Sequence, residues 1–165
     1  MILVVWGVSG CGKTTIGQQV ATHLGWQFYD ADDFHPSANV EKMRAGQPLT
    51  DEDRWPWLAR LAELLEEHVA SQQSAVLACS ALRKIYREKL DVNAKQVQFV
   101  QLAGSFTLIR DRLAARNHEF MDPALLQSQF DTLEEDPVDW RVEIDAAPES
   151  VCDAITSRIG SQSSS

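Results

Sequence analysis

The residues Gly7-Val8-Ser9-Gly10-Cys11-Gly12-Lys13-Thr14 fit the pattern GxxxxGK[ST] at every position. The chemistry of that spacing is grip on the phosphates of a nucleotide. Glycines let the loop take backbone angles closed to other residues and let it approach the phosphates closely. Successive N–H groups then converge, and the N-terminus of the following helix adds partial positive charge. Lys13 reaches the β- and γ-phosphates, the Thr14 hydroxyl is placed to ligate Mg²⁺, and Thr15 extends the same first turn. Cys11 needs no chemistry of its own in such a loop and reads as a small filler.

A second set of groups lies at Asp30-Ala31-Asp32-Asp33. Taken alone it reads as a solvated acidic turn. Next to a phosphate loop it reads differently. Transfer of a phosphoryl group to an alcohol needs one group to orient the hydroxyl and accept its proton, and another to hold the magnesium shell. Asp30 and Asp32 alternate after a strand, which predicts that both face the sheet's carboxyl edge while Asp33 points away.

The elements that must position these groups alternate between strands and helices. Strands are predicted at residues 2–6, 26–29, 75–78, 97–102 and 142–144. The first helix places Ile16, Val20 and Leu24 on one face and stops at Gly25. A short helix ends near Gly46. A longer one takes Pro56 in its first turn and turns Leu58, Leu61, Leu65 and Val69 inward. A basic helix starts near Arg83, and another carries Leu108, Ile109 and Leu113. Asp122-Pro123 reads as an N-cap and first-turn proline for a helix with Leu125, Leu126, Phe130 and Leu133. The last helix carries Val151, Ile155 and Ile159, and residues 161–165 read as a disordered tail. This alternation predicts an α/β fold of three layers, a parallel sheet of five strands between helices, in one domain over residues 1–160. Ligands then belong at the carboxyl ends of the strands.

The 165 residues suit a single core, and the net charge of −9 argues against a nucleic-acid partner. Three scattered cysteines, Cys11, Cys79 and Cys152, have no zinc spacing and read as reduced thiols in the cytoplasm. No apolar run is long enough for a membrane span. Met1 to Trp6 lacks a basic leader and stops at Gly7, so it reads as a strand and not as a signal peptide.

Several blocks in order resemble the gluconate kinase family. They are Asp30-Ala31-Asp32-Asp33-Phe34-His35-Pro36, then Asn39, Lys42-Met43 and Gly46-Gln47-Pro48-Leu49-Thr50-Asp51-Glu52-Asp53-Arg54, then Pro56-Trp57-Leu58. Cys79-Ser80-Ala81-Leu82-Arg83 with Tyr86-Arg87, and Leu126-Gln127-Ser128-Gln129-Phe130 with Leu133-Glu134, continue the likeness to about residue 155. The resemblance implies ATP-dependent phosphorylation of D-gluconate to 6-phospho-D-gluconate. It also implies a nucleoside-monophosphate-kinase-like core with strand order 2-3-1-4-5, a mobile lid at about residues 116–122, and a homodimer.

Residue by residue, the resemblance makes Asp32 the group that holds the accepting hydroxyl and takes its proton, with Asp30 nearer the magnesium. His35 either contacts sugar hydroxyls or ties down its own His-Pro turn. Arg54 and Arg83 become candidates for the substrate carboxylate, because a guanidinium fork matches a carboxylate. Ser80 adds a hydroxyl. Arg112 would stack on adenine, and Arg116, four residues on, would meet the phosphates as the lid closes. Arg110, Lys84 and Lys89 read as solvated. Ala146-Ala147-Pro148 would wall the adenine pocket. The chain departs from the family at Arg116-Asn117-His118-Glu119-Phe120-Met121, where the usual pattern is Arg-x-x-His-Phe-Met; no role is assigned to His118. A smaller departure is Ala31 in place of a common glycine.

Two other readings remain open from the sequence. A shikimate-kinase-like or other small-molecule kinase shares the phosphate loop and the paired aspartates, but shikimate kinases usually carry Gly-Gly-Gly where this chain has Cys79-Ser80-Ala81. A non-catalytic ATP-binding switch would have no use for an acceptor pocket built from Asp32, Arg54 and Arg83.

Overall fold

In a computed structural model, which describes residues 1–115, 123–136 and 140–163, the apolar strand runs pair into one sheet. Its strands are β1 Ile2–Trp6, β2 Gln27–Asp30, β3 Ala75–Ala78, β4 Val97–Ala103 and β5 Trp140–Glu143. All are parallel, in the order β2-β3-β1-β4-β5. The helices are α1 Lys13–Leu24, α2 Ser37–Arg44, α3 Asp51–Ala70, α4 Lys84–Leu90, α5 Phe106–Ala114, α6 Pro123–Thr132 and α7 Pro148–Ser163.

β1 lies at the centre and is buried along its whole length. Its alternation divides the core in two. Leu3 and Val5 join Ile16, Val20, Ile109, Leu113 and Ile155 from α1, α5 and α7 on one face. Ile2, Val4 and Trp6 join Leu58, Leu61, Leu65, Tyr86 and Leu90 from α3 and α4 on the other. A strand covered on both sides must be apolar at every position, and this one is. Gly25 ends α1 in the left-handed region at φ 72°, and Trp26 N–H closes back on Ala21 O at 2.8 Å.

Some boundaries differ from the sequence reading. α3 begins at Asp51, a turn before Pro56, because Thr50 caps it. The Thr50 hydroxyl accepts from Asp53 N–H at 3.2 Å, and the Asp53 carboxylate accepts from Thr50 N–H at 2.9 Å. This reciprocal box satisfies two backbone donors and outweighs the start signal of the proline. Pro56 therefore lies in the second turn, where Glu52 O loses its helical donor but faces solvent. β5 starts two residues earlier than expected, at Trp140. α7 continues past Gly160 to Ser163, so residues 161–163 extend the last helix where a disordered tail was expected. Asp122 lies outside the described residues.

The box also sets an acid limb. Lys42 Nζ donates to Asp53 Oδ2 at 2.7 Å. That bond and the Thr50 backbone lower the Asp53 carboxyl from 3.8 to about 2. A carboxylate depressed in the folded state stabilises above its unfolded pKa and stops doing so as pH falls through the folded value. Thr50→Ala is expected to lower the unfolding free energy by about 1 kcal/mol, read from urea denaturation with an unchanged slope. The stability advantage of the native chain over Asp53→Asn should be full at neutral pH and shrink from about pH 4 down through about pH 2; a gap as large at pH 2 as at pH 7 would refute the linkage.

Candidate active site

The loop after β1 turns on glycines that have no alternative. Gly7 takes φ 150°, and a Cβ there would lie 2.8 Å from Leu102 O. Gly10 takes φ 80°, and a Cβ would lie 2.7 Å from Leu113 Cγ. Val8 and Cys11 are buried between them, and Cys11 N–H donates to Val8 O at 3.3 Å. Burial pushes the Cys11 thiol up, with Lys13 opposing; the residue fills space as expected. Lys13 Nζ donates to Val8 O at 3.0 Å. Gly12 leads into α1, whose first turn has neither a side-chain cap nor an acidic residue. Its N–H groups and the positive end of its dipole are thus open to an anion.

The loop forms one wall of a cleft of about 790 Å³ at the carboxyl edge of the sheet. Ser9, Gly10, Gly12, Lys13, Thr14 and Thr15 line that wall; Asp30, Asp32, His35, Arg54, Trp57 and Ser80 line the other. The structure therefore brings together the phosphate loop and most of the acceptor residues named from sequence.

The two aspartates face the cleft for a different reason than strand alternation. β2 ends at Asp30, and residues Ala31–Phe34 form a single 3-10 turn capped by the Asp30 side chain. Asp30 Oδ1 accepts from Asp32 N–H at 3.0 Å, and Oδ2 accepts from the Thr14 hydroxyl at 3.2 Å. Asp32 is carried inward by this turn. Desolvation in the cleft, then the nearby Asp30 charge, raise the Asp32 carboxyl above its ordinary value. Its side chain is still 84% exposed, so water screens both effects.

His35 is held firmly. Its side chain is 4% exposed and stacks on Trp57 at 4.2 Å between ring centroids. Trp57 is itself fixed by donating its indole N–H to Ala31 O at 2.7 Å. Asn39, buried in α2, reaches His35 Nδ1 at 3.2 Å and Asp53 O at 2.9 Å through the same amide nitrogen.

The arginines separate into cleft and framework. Arg54 lines the cleft, and its guanidinium donates to Tyr86 OH at 3.2 Å and Asp51 Oδ1 at 3.3 Å. Arg83, expected beside it at the substrate, does not line the cleft. Asp51 accepts from it at 2.7 Å and Glu134 lies 3.6 Å away, so carboxylates of the protein occupy its fork. The Tyr86 hydroxyl, then Arg83 and Arg54, hold the Asp51 carboxyl below its usual range. Arg87 is buried, sits 3.9 Å over the Trp6 ring, and donates to Ala81 O at 2.7 Å and Glu134 O at 2.5 Å. The first of these bonds steadies Ala81, a non-glycine residue at φ 41° in the loop after β3. In the same loop, Ser80 O accepts from Gly7 N–H at 3.2 Å.

Arg112 donates to Ile144 O at 2.5 Å, beside the turn that leads to Ala146 and Ala147. It is not among the residues that line the cleft. Arg116 and the lid at residues 116–122 lie outside the described residues.

Sequence reasoning missed Gln129. From α6 its carbonyl accepts from Ser9 N–H at 2.7 Å and its amide donates to Ser9 Oγ at 3.0 Å. The only local signal is a polar residue next to Phe130 on an otherwise apolar helix side. Asn39 was likewise quoted within a motif but given no role.

The shikimate kinase family profile matches residues 9–141. The chain is 50% identical over 151 residues to a probable gluconokinase of Rattus norvegicus, covering 81% of this chain and 82% of that one. It is 52% identical over 132 residues to the gluconokinase of Gluconobacter oxydans (strain 621H), covering 80% and 74%. A gluconokinase structure from Sinorhizobium meliloti 1021 superposes with a TM-score of 0.82 at 36% identity, over 98% of this chain and 96% of that one. The strand order, the phosphate loop and these likenesses together make the chain a member of the gluconokinase family, within the wider group of shikimate-kinase-like P-loop kinases.

Proposed function

We propose that this chain transfers the γ-phosphoryl group of ATP to the primary hydroxyl of D-gluconate, giving 6-phospho-D-gluconate and ADP. The observation that carries the reading is one cleft in which Lys13, Asp32 and Arg54 meet, in a chain half identical to gluconokinases.

The roles follow from chemistry. The phosphate loop and the start of α1 bind the β- and γ-phosphates, and Lys13 neutralises charge on the transferring group. Asp32 accepts a hydrogen bond from the attacking hydroxyl, orients its lone pair toward phosphorus and receives its proton. Arg54 receives the substrate carboxylate on its remaining N–H groups. Ser80 and His35 contact sugar hydroxyls. Arg112 flanks the adenine, and Arg116 completes the charge on the lid side.

Thr14 and Asp30 fit a magnesium ion. A hydroxyl and a carboxylate oxygen, 3.2 Å apart beside the phosphate loop, are hard donors. Few protein ligands are what Mg²⁺ takes when phosphates and water complete its shell. When bound, the ion supplies charge neutralisation at the phosphate oxygens. The three cysteines are free and buried, which accords with a reducing cytoplasm.

The reaction is tested by coupled ADP release with Mg·ATP against gluconate, related aldonic acids and shikimate. Saturable turnover with gluconate is expected; turnover with shikimate alone would overturn the acceptor. Asp32→Asn should keep its circular dichroism and its affinity for ATP while kcat falls by about 10²- to 10⁴-fold. Full activity in that variant would remove Asp32 from proton transfer. Arg54→Ala should raise KM for gluconate on the order of 10- to 100-fold with KM for ATP little changed. Arg54→Lys should recover only part of this, because an ammonium lacks the fork.

A further inference from the structure

Phosphoryl transfer to an alcohol leaves one question open in this cleft: what fixes the hydroxyl oxygen once Asp32 holds its proton. The surroundings of His35 answer it. Asp53 O is a carbonyl and can only accept, so the Asn39 atom 2.9 Å from it is the amide nitrogen. That nitrogen has two hydrogens. The second goes to His35 Nδ1 at 3.2 Å. A ring nitrogen that accepts carries no proton, so the neutral imidazole holds its hydrogen on Nε2. A flipped amide would set two oxygens against each other at Asp53, which excludes the other assignment.

Nε2 lies 3.8 Å from Asp32 Oδ1, too far for a direct hydrogen bond. An oxygen atom can stand within about 2.8 Å of both. An alcohol suits that position: its lone pair accepts from Nε2–H and its hydrogen is donated to Asp32. The groups facing the ring keep it neutral. Burial lowers its pKa first; Asp32 opposes this and Arg54 adds to it. Trp57 covers one ring face, and the Lys42–Asp53 ion pair stands behind Asn39.

We propose that Asn39 is a positioning residue for phosphoryl transfer: its amide fixes the His35 ring with the proton on Nε2, so that the ring donates to the same hydroxyl oxygen whose proton passes to Asp32. In the step, the O–H bond breaks toward Asp32, the oxygen forms its bond to the γ-phosphorus, and the bond from that phosphorus to the bridging oxygen of ADP breaks. His35 gains and loses no proton. It sets the direction of the oxygen lone pairs, and Asn39 acts only through it. The proposal rests on the kinase reading above and on Asp32 as proton acceptor.

The test has two arms. In the free protein, labelled with ¹⁵N-histidine, long-range proton–nitrogen spectra at pH 7 should show His35 as the Nε2–H tautomer, its signals identified by their loss in His35→Gln. Asn39→Asp should move a proton onto Nδ1 and lower kcat with gluconate by about 10²-fold, with KM for ATP unchanged. In the second arm, His35→Leu should lose about 10²-fold in kcat, and His35→Gln, whose amide places an N–H near the Nε2 position, should recover at least about tenfold of it. Melting temperature and ATP binding check folding in each variant. Should Asn39→Asp not fold, the Leu and Gln pair at His35 still decides. A wild-type ring protonated on Nδ1, an Asn39→Asp protein with a moved proton and native kcat, or a His35→Gln no better than Leu would each overturn the proposal. The tautomer is read without substrate. An incorrect acceptor would appear in the ADP-release panel and leave that reading untouched.

Discussion

The Asp30 carboxylate accepts from the Thr14 hydroxyl with one oxygen and from the Asp32 backbone with the other. These two bonds join parts of the chain that the sheet keeps apart. β2 and β1 are not neighbours, because β3 lies between them, and adjacent strands stand about 4.8 Å apart. The acceptor turn would therefore begin about two strand spacings from the phosphate loop. Asp30 closes that distance by gripping the first turn of α1 while it caps the turn that carries Asp32. Transfer needs reacting atoms within about 3–3.5 Å. Asp30 is where the framework sets that separation, because one carboxylate bonds to both halves.

The two halves rest on opposite layers. Residues Leu3 and Val5 of β1 face the layer of α1, α5 and α7, whose helix α1 carries the phosphate loop's end. Ile2, Val4 and Trp6 face α3 and α4, and α3 brings Arg54 and Trp57 to the cleft. Helix α6 spans the junction. Its Gln129 clasps Ser9 of the phosphate loop. Just beyond its end, Glu134 N–H donates to Leu82 O at 2.8 Å and the Glu134 carboxylate accepts from Lys84 N–H at 3.0 Å. One short segment thus bonds to both the phosphate loop and the loop after β3. Strain at Ala81 is tolerated where Arg87 and this segment brace it.

The sequence made some of this readable and hid the rest for physical reasons. β1 and β3 match their predicted bounds because buried parallel strands are unbroken apolar runs closed by glycine or polar residues. The phosphate loop was readable because its glycines answer a local backbone demand. Asp30 and Asp32 both line the cleft, but by another geometry than expected: alternation in a strand was expected, and a capped 3-10 turn places them there. The start of α3 was misjudged because the proline was weighed above the box formed by Thr50 and Asp53. Asn39 had no local signature, and Gln129 only the weak one of a polar residue on an apolar helix side. Asn39 bonds to the Asp53 backbone 14 residues away and Gln129 to Ser9, 120 residues away, and nothing in periodicity or spacing encodes such pairings. The division between Arg54 and Arg83 was equally hidden, since it depends on where Asp51 and Glu134 fall.

That division also explains how a chain of net charge −9 holds two anions. Many of its cations are spent locally: Arg83 on Asp51 and Glu134, Lys42 on Asp53, Arg141 on Glu135 and Glu143. Lys13 and Arg54 face the cleft, Arg54 with one nitrogen held by Asp51 and Tyr86, and the open N-terminus of α1 forms part of the phosphate wall. At physiological ionic strength charges separated by more than about 8 Å are largely screened. A small anion inside the cleft therefore feels Lys13, Arg54 and the helix dipole far more than the acidic exterior. The acidic balance is thus compatible with binding of ATP and a sugar acid, because a small anion in the cleft is read at short distance and the net charge of the surface at long distance.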